Sequence, residues 1–389
     1  MNLSDRVNSI QASQSLQMAS RAKQMQADGI DVISMSLGEP DFDTPEHIRR
    51  AAQEAIDRHW SHYGPVAGIP SLREAIANKQ SAISQPSSIA YTGADVIVSV
   101  GAKMAIYNAI QTVVNPGDEV IIPMPSWVSY TEMVKLAQGT VIPVKTRFED
   151  NYCLTPEQLR SAITPRTRML ILCSPNNPTG SVYTYGQLDA IVSILREHPQ
   201  IVILSDEIYN QLVYDSPAVS LAAFAELSRR LIIVNGVSKS YAMTGYRIGW
   251  LLCKNADFIA GCTRLQGRQI TCATMVAQKA SEAALTGDQT CVQTMRDTFA
   301  ARRELICRLA AQIPGFRFTE PQGAFYLFPD VSAIGTGDEV VEWLLEKAQV
   351  ACVSGSAFGC PECIRLSYAI STDLIIEALR RISTFLASK

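Results

Sequence analysis

The 389-residue sequence has almost no excess of either charge: 34 lysines and arginines stand against 37 acidic residues, a formal net charge of −3. Without a broad basic surface, a nucleic-acid role has no electrostatic basis. No uncharged apolar run is long enough to cross a bilayer. The opening MNLSDRVNSIQASQ is charged and lacks an apolar centre, so neither a membrane span nor a signal peptide is expected. The expected compartment is the cytoplasm. No GxGxxG follows the first predicted strand and no acidic ribose partner is spaced after it, which argues against a nicotinamide dehydrogenase. No basic helix-turn-helix segment precedes residue 40, which argues against a DNA-binding regulator. Internal repeats and low-complexity linkers are missing as well.

What is present is ordinary globular material. A hydrophobic fraction of 47% against 18% charged is enough to bury a sizeable core and excludes disorder as the dominant state. The length is too great for one compact core and predicts two domains. The ten cysteines lie mostly inside apolar runs such as LILCSP and WLLCK, where free thiols act as small buried hydrophobes in a reducing compartment. Cys360 and Cys363 form a single CxxC. With no second pair or histidine set beside it, neither zinc nor redox work is expected of it, and no metal site is predicted.

From about residue 95 to 255, short β-branched runs (DVIVSV, DEVIIP, TVIPV, RMLILC, IVILS, RLIIVN, RIGWLLC) alternate with amphipathic stretches, the pattern of an α/β fold with a mostly parallel central sheet flanked by helices. Turn signals at 115–118, 174–180 and Gly245 separate the units. Helices are predicted to start at Thr44-Pro45-Glu46 and Thr155-Pro156-Glu157, each with a hydroxyl cap before a proline. Beyond a long helix near Asp297 to Ile313, the segments GAFYLFP, ACVSG and CIRLSYA read as strands, and a closing helix spans roughly Thr372 to Ser388. These parts predict a large α/β domain over 46–295 and a smaller α+β domain made of 296–389 together with an N-terminal segment, 1–45.

Ligands bind at the carboxyl ends of the strands in such sheets, so the residues following each strand carry the functional argument. After DVIVSV, Gly101-Ala102-Lys103 opens a helix and offers backbone N–H groups to an anion, although a tight turn alone also asks for glycine there. After IVILS comes Asp206, a carboxylate needing a cation or several donors, whether in a site or in a structural ion pair. After RMLILC, the loop SPNNPTG can present the Asn177 amide, or serve as a plain turn. After RLIIVN come Ser238 and Lys239, with Arg247 eight residues beyond Lys239. A lysine in so apolar a run either loses its proton to become a nucleophile or lies on a surface turn. Together the four strand ends suit pyridoxal 5'-phosphate, which needs a lysine for covalent attachment, an acid on its pyridine nitrogen and donors for its phosphate.

In register along nearly the whole chain, GEPDFDTPEHI, YGPVAGIPSLREAIA, NPGDEVIIPMPSWVSY, SPNNPTG, SDEIY, SKSYAMTGYRIGW, GAFYLF and IRLSYA resemble the class I pyridoxal-phosphate-dependent aminotransferases of fold type I, in the branch of bacterial aspartate aminotransferases. The resemblance implies a role for each matching residue. Lys239 corresponds to the cofactor-linked lysine that moves the proton between substrate Cα and the cofactor. Asp206 corresponds to the partner of the pyridine nitrogen, Asn177 and Tyr209 to donors to the ring oxygen, and Trp127 to the stacked aromatic plate. Ser238, Arg247 and the backbone at Ala102 and Lys103 would hold the phosphate. Arg365 would fork onto the substrate α-carboxylate, with Gly38 meeting it through its backbone. Tyr63 would reach the phosphate of a neighbouring subunit, implying a homodimer with shared sites.

The resemblance also implies the reaction, amino-group transfer from an L-amino acid to a 2-oxo acid by a ping-pong route. A C–S β-lyase on the same fold is the competing chemistry. For the distal carboxylate of an acidic substrate, Lys103, Ser13 and Ser15 match the branch, so aspartate with 2-oxoglutarate is the expected pair. Arg168 stands where a basic residue is linked to prephenate use in some relatives, which keeps aromatic or prephenate specificity open. The branch has serine or asparagine then proline where this chain has Cys272 and Ala273, a departure that bears on substrate choice.

Overall fold

The structure, a computed structural model, describes residues 2–10, 14–83 and 89–388. Its strands in chain order are β1 (Ile33–Ser34), β2 (Val96–Val100), β3 (Glu119–Met124), β4 (Thr140–Lys145), β5 (Thr167–Cys173), β6 (Val202–Asp206), β7 (Leu231–Gly236), β8 (Ile248–Leu252), β9 (Tyr326–Leu327), β10 (Val350–Ala351), β11 (Val353–Ser354) and β12 (Ile364–Ser367). Seven of them form one sheet in the order β2-β8-β7-β6-β5-β3-β4. All neighbours pair in parallel except β8, which runs against both β2 and β7. The mostly parallel sheet expected from the alternating pattern is therefore present.

Period-two alternation sorts the strand residues between two buried layers. Val96, Val98, Leu170, Leu172, Ile203, Leu231 and Ile233 join one apolar cluster. Their neighbours Ile97, Met169, Ile171, Leu204, Ile232 and Val234 join another on the opposite face. Covering both faces explains why these runs read as continuously hydrophobic. The edge strand β4 is partly exposed and carries Pro143, which an edge tolerates because the ladder loses a donor there. A flanking helix, Gly101–Val113, buries Ala105, Ile106, Ala109, Ile110 and Val113 at the three-to-four spacing of a single face.

The predicted hydroxyl cap at Thr155 is present, with Gln158 completing a reciprocal box. At the other predicted start the helix is Glu46–Asp57, with Pro45 as its cap and no side-chain cap bond. The Thr44 hydroxyl instead donates to the Ala242 carbonyl at 2.6 Å, a tertiary contact that outcompetes the local one. The long helix starts earlier than its expected Asp297, at Thr290, and runs to Ala310.

Beyond the large sheet, β11, β12 and β9 make a three-stranded antiparallel sheet. β1 pairs in parallel with β10, tying the chain around residue 33 to the C-terminal part. A third apolar cluster unites Ile33, Met35, Phe299, Phe325, Tyr326, Leu344 and Ile375. It lies under the segment Ser36–Asp41, which Arg302 anchors through a two-pronged pair with Asp41 at 2.6 and 2.8 Å.

Candidate active site

The carboxyl ends of β5, β6 and β7, and the helix that follows β2, open into one cavity of about 350 Å³, closed on the far side by Gly38, Tyr326 and Arg365. Asp206 is the last residue of β6, and Lys239 stands three residues past the end of β7. Asn177 belongs to the turn following β5. The cavity wall includes Ala102, Lys103, Trp127, Asn177, Asp206, Tyr209, Ser238, Lys239, Arg247 and Arg365. Residues as far apart in sequence as Ser36 and Arg365 thus meet where the topology of a parallel sheet leaves a crevice.

Lys239 Nζ donates to the Gly38 carbonyl at 2.6 Å. Burial, aided by Arg247 and Arg365, pushes its pKa down to about 8, against a partial rescue by Glu39 and Asp206. A sizeable fraction of the amine is therefore neutral near pH 8, the state in which a lysine attacks an aldehyde. Asp206 is moved the other way, up to about 6, by burial. Three attractions oppose that rise: the phenol of Tyr130, donating to Oδ2 at 2.6 Å, the Ile208 N–H on Oδ1 at 3.1 Å, and Lys239. A carboxylate so enclosed lacks a full counter-charge of its own and is suited to a protonated ring nitrogen brought into the cavity.

Arg365 is only 3% exposed and extends along β12 to the cavity floor. One guanidinium nitrogen donates to Asn177 Oδ1 at 2.9 Å and another to the Ser36 carbonyl at 2.7 Å. Its third nitrogen, Nε, is buried without a partner among the described residues. The rings of Tyr326 and Phe358 flank the guanidinium at 4.5 and 5.0 Å. Burial lowers its pKa, yet arginine stays charged, so an unmatched buried cation faces the cavity. A carboxylate is its natural ligand.

At the other end, Lys103 sits in the first turn of Gly101–Val113, its ammonium 4.9 Å from the Trp127 ring centroid, with a pKa lowered by burial and by Arg247. Arg247 adopts a left-handed backbone conformation, φ 58°, uncommon for a residue with a side chain. It brings the guanidinium against Gly101, where a Cβ would collide with it. Gly249 lets β8 pass directly beneath the amide of Ala102, a space a methyl group would fill. Helix amides, Arg247 and the Ser238 hydroxyl together form an anion cradle. The cavity therefore fits pyridoxal phosphate at each of its chemical features: amine, carboxylate, aromatic wall and phosphate donors.

Some predicted residues fall elsewhere. Tyr63 is 88% exposed and does not line the cavity of its own chain. Ser13 lies outside the described residues, as does the side chain of Ser15 within the helix Gln14–Ala27. Arg168 sits near the start of β5, at the end of the strand away from the cavity, where it donates to the carbonyls of Val113 and Gln200. Ala273 is buried in the large-sheet core, and neither it nor Cys272 lines the cavity. Three contributors were not singled out from sequence: Tyr130, Ser36 and Tyr326, whose hydroxyl lies 2.9 Å from that of Tyr209. The Tyr130 N–H donates to the Trp127 carbonyl at 3.1 Å where the helix Ser129–Leu136 begins, and that three-residue spacing could have flagged it.

A parallel sheet with a buried lysine and carboxylate facing each other beside an anion cradle defines a pyridoxal-phosphate enzyme. Residues 30–382 match the family described as Aminotransferase class I and II. An aspartate aminotransferase of Bacillus sp. (strain YM-2) is 44% identical over 391 residues, covering 98% of each chain. An aspartate/prephenate aminotransferase of Cereibacter sphaeroides is 42% identical, covering 99% of this chain and 98% of its own. Among solved structures, an aspartate aminotransferase from Rhizobium meliloti superposes with a TM-score of 0.95 at 36% identity, over 100% and 99% of the two chains. One from Thermus thermophilus with maleate gives 0.94 at 38% identity, over 99% and 100%. The chain belongs to the class I and II aminotransferases, fold type I enzymes that use pyridoxal phosphate to transfer amino groups. No helix among the described residues is long and apolar enough to cross a membrane.

Proposed function

We propose that this enzyme moves the amino group of aspartate or glutamate to a 2-oxo acid. The observation that carries the reading is that, besides Lys239 and Arg247, the wall of one cavity holds two further cations, buried Arg365 and exposed Lys103. A dicarboxylic amino acid can engage both. The names of the aspartate-using relatives support the choice. Lys239 is the proposed base: its amine takes the proton from substrate Cα and returns it one atom away, on the cofactor side. Pyridoxal phosphate, when bound, supplies the electron sink for the pair left at Cα. Asp206 would hold the proton on the ring nitrogen, Asn177 and Tyr209 would donate to the ring oxygen, and Trp127 would pack against the ring. Ser238, Arg247 and the amides of Ala102 and Lys103 hold the phosphate. Arg365 orients the substrate by its α-carboxylate, assisted by the backbone of Gly38, so that the Cα–H bond and not the carboxylate bond stands across the ring.

The assembly in this reading is a homodimer, in which Tyr63 completes the phosphate site of the partner, and the compartment is the cytoplasm. Residues 46–295 form the large domain, and 1–45 with 296–389 the small one. The unbroken helix Thr290–Ala310 spans that boundary as a stiff connection. A second reading, prephenate or another aromatic partner, draws on the relatives named aspartate/prephenate aminotransferase. A panel of amino donors against 2-oxoglutarate, with the 2-oxo acid products identified, tests both. Preference for aspartate supports the first reading, and release of a thiol, pyruvate and ammonia from an S-substituted cysteine would instead favour a lyase.

A further inference from the structure

The one sequence motif that the site does not use is the CxxC. Cys360 and Cys363 are 3% and 0% exposed, and their sulfur atoms are 3.4 Å apart. Backbone bonds close the turn that carries them: Cys360 N–H to the Gly355 carbonyl at 2.9 Å, Cys363 N–H to the Cys360 carbonyl at 3.1 Å, and Gly355 N–H to the Cys363 carbonyl at 2.7 Å. The turn therefore holds the two thiols together whether or not they react. Cys360 also forms part of the wall of a second cavity of about 350 Å³, separate from the first, with Lys145, Arg147 and Tyr152 around it. Lys145 Nζ pairs with Glu362, between the two cysteines, at 2.9 Å, and its charge acts on both sulfurs.

We propose that Cys360 and Cys363 form a modification site, a dithiol that undergoes exchange with a low-molecular-weight disulfide and closes to an intrachain disulfide. One cysteine thiolate attacks a sulfur of the small disulfide, giving a mixed disulfide and releasing one small thiolate. The neighbouring cysteine then attacks the protein-bound sulfur and releases the second. Two protein thiols are oxidised, the small disulfide is reduced to two thiols, and the two protein protons end on the released thiolates. The contact with Cys363, and burial after it, pushes the Cys360 thiol well up, so at rest Cys360 is protonated and exchange through it is slow. The cavity, whose wall carries Lys145 and Arg147 beside Glu149, Asp330 and Glu362, gives a small reagent its approach to Cys360.

The position gives the bond a consequence. Cys363 immediately precedes β12, which carries Arg365, and Phe358 of the same turn flanks that guanidinium. Closing the sulfur pair bears directly on the residue proposed to bind the substrate carboxylate, a coupling that rests on the function proposed above.

The test incubates the reduced holoenzyme with oxidised glutathione, blocks remaining thiols by alkylation and maps peptides by mass. The expected result is joint loss of alkylation at Cys360 and Cys363, a peptide linking them that is two hydrogens lighter, and reversal by dithiothreitol. In Cys360→Ser the remaining Cys363 should appear unlinked or as a glutathione adduct. Full alkylation of both cysteines, under conditions where the partly exposed Cys272 has reacted, overturns the proposal, as does a link that forms only after denaturation. The coupling is read separately, as a severalfold rise in KM shared by all amino donors in oxidised wild type and absent from treated Cys360→Ser. An unchanged KM in fully oxidised enzyme overturns the coupling alone.

Discussion

The phenol of Tyr130 donates to Oδ2 of Asp206 at 2.6 Å, inside a pocket where both side chains are almost entirely buried. It is the side-chain donor that steadies the carboxylate against the rise caused by burial. Trp127 meets Tyr130 edge-on, with ring centroids 5.3 Å apart, so the entry to the helix Ser129–Leu136 supplies both a cavity wall and a support for the acid behind it.

Tyr130→Phe keeps the ring and removes the hydroxyl. A hydrogen bond to a charged group contributes about 1.5–3 kcal/mol, so cofactor affinity should fall at least about tenfold. Equilibrium dialysis with pyridoxal phosphate checks this, and an unchanged affinity would remove Tyr130 from the site's support.

The pH dependence of cofactor uptake follows from Lys239. Burial lowers its pKa to about 8, and the neutral amine is the reactive form, so the rate at which cofactor-free protein takes up pyridoxal phosphate should rise with pH through a midpoint near 8. An exposed lysine would place that midpoint near about 10.4. The same shift has a stability counterpart. Because the unfolded chain holds this proton up to its higher pKa, the lysine makes the cofactor-free fold more stable as pH rises from about 8 toward the unfolded value, and contributes no slope below 8.

Two of the cavity's cations, Arg365 and Lys103, should separate kinetically. Arg365→Ala is expected to damage turnover with every amino donor, because each has an α-carboxylate. Lys103→Ala should harm aspartate far more than an apolar or aromatic donor. Steady-state kcat/KM for aspartate, alanine and phenylalanine decides it, and equal losses would sink the assignment of Lys103. Arg365→Lys should recover little, since an ammonium cannot reproduce the fork that holds Asn177 and Ser36 together.

Most of this arrangement was legible in the chain because it is built from local rules. Asp206 ends a buried strand, Asn177, Ser238 and Lys239 each follow one, and a parallel sheet puts strand ends together without further information. Residues whose place depends on tertiary packing were not legible. Thr44 reads as a helix cap and instead holds Ala242. Arg168 gives no hint in sequence that it faces the far end of β5. Tyr326 meets Tyr209, 117 residues away in the chain, only because the turn after β6 packs into the same apolar cluster as β9. The CxxC spacing likewise says nothing of the 3.4 Å separation that the turn at Gly355 imposes.

The account's central claim is that the amine of Lys239 carries the cofactor, opposite Asp206. Borohydride reduction of the purified holoenzyme, followed by peptide mass mapping, tests it most directly. The adduct is predicted on Lys239 alone, with loss of the yellow absorbance, and no adduct in Lys239→Ala. An adduct on any other lysine, or one that persists in that variant, would contradict it.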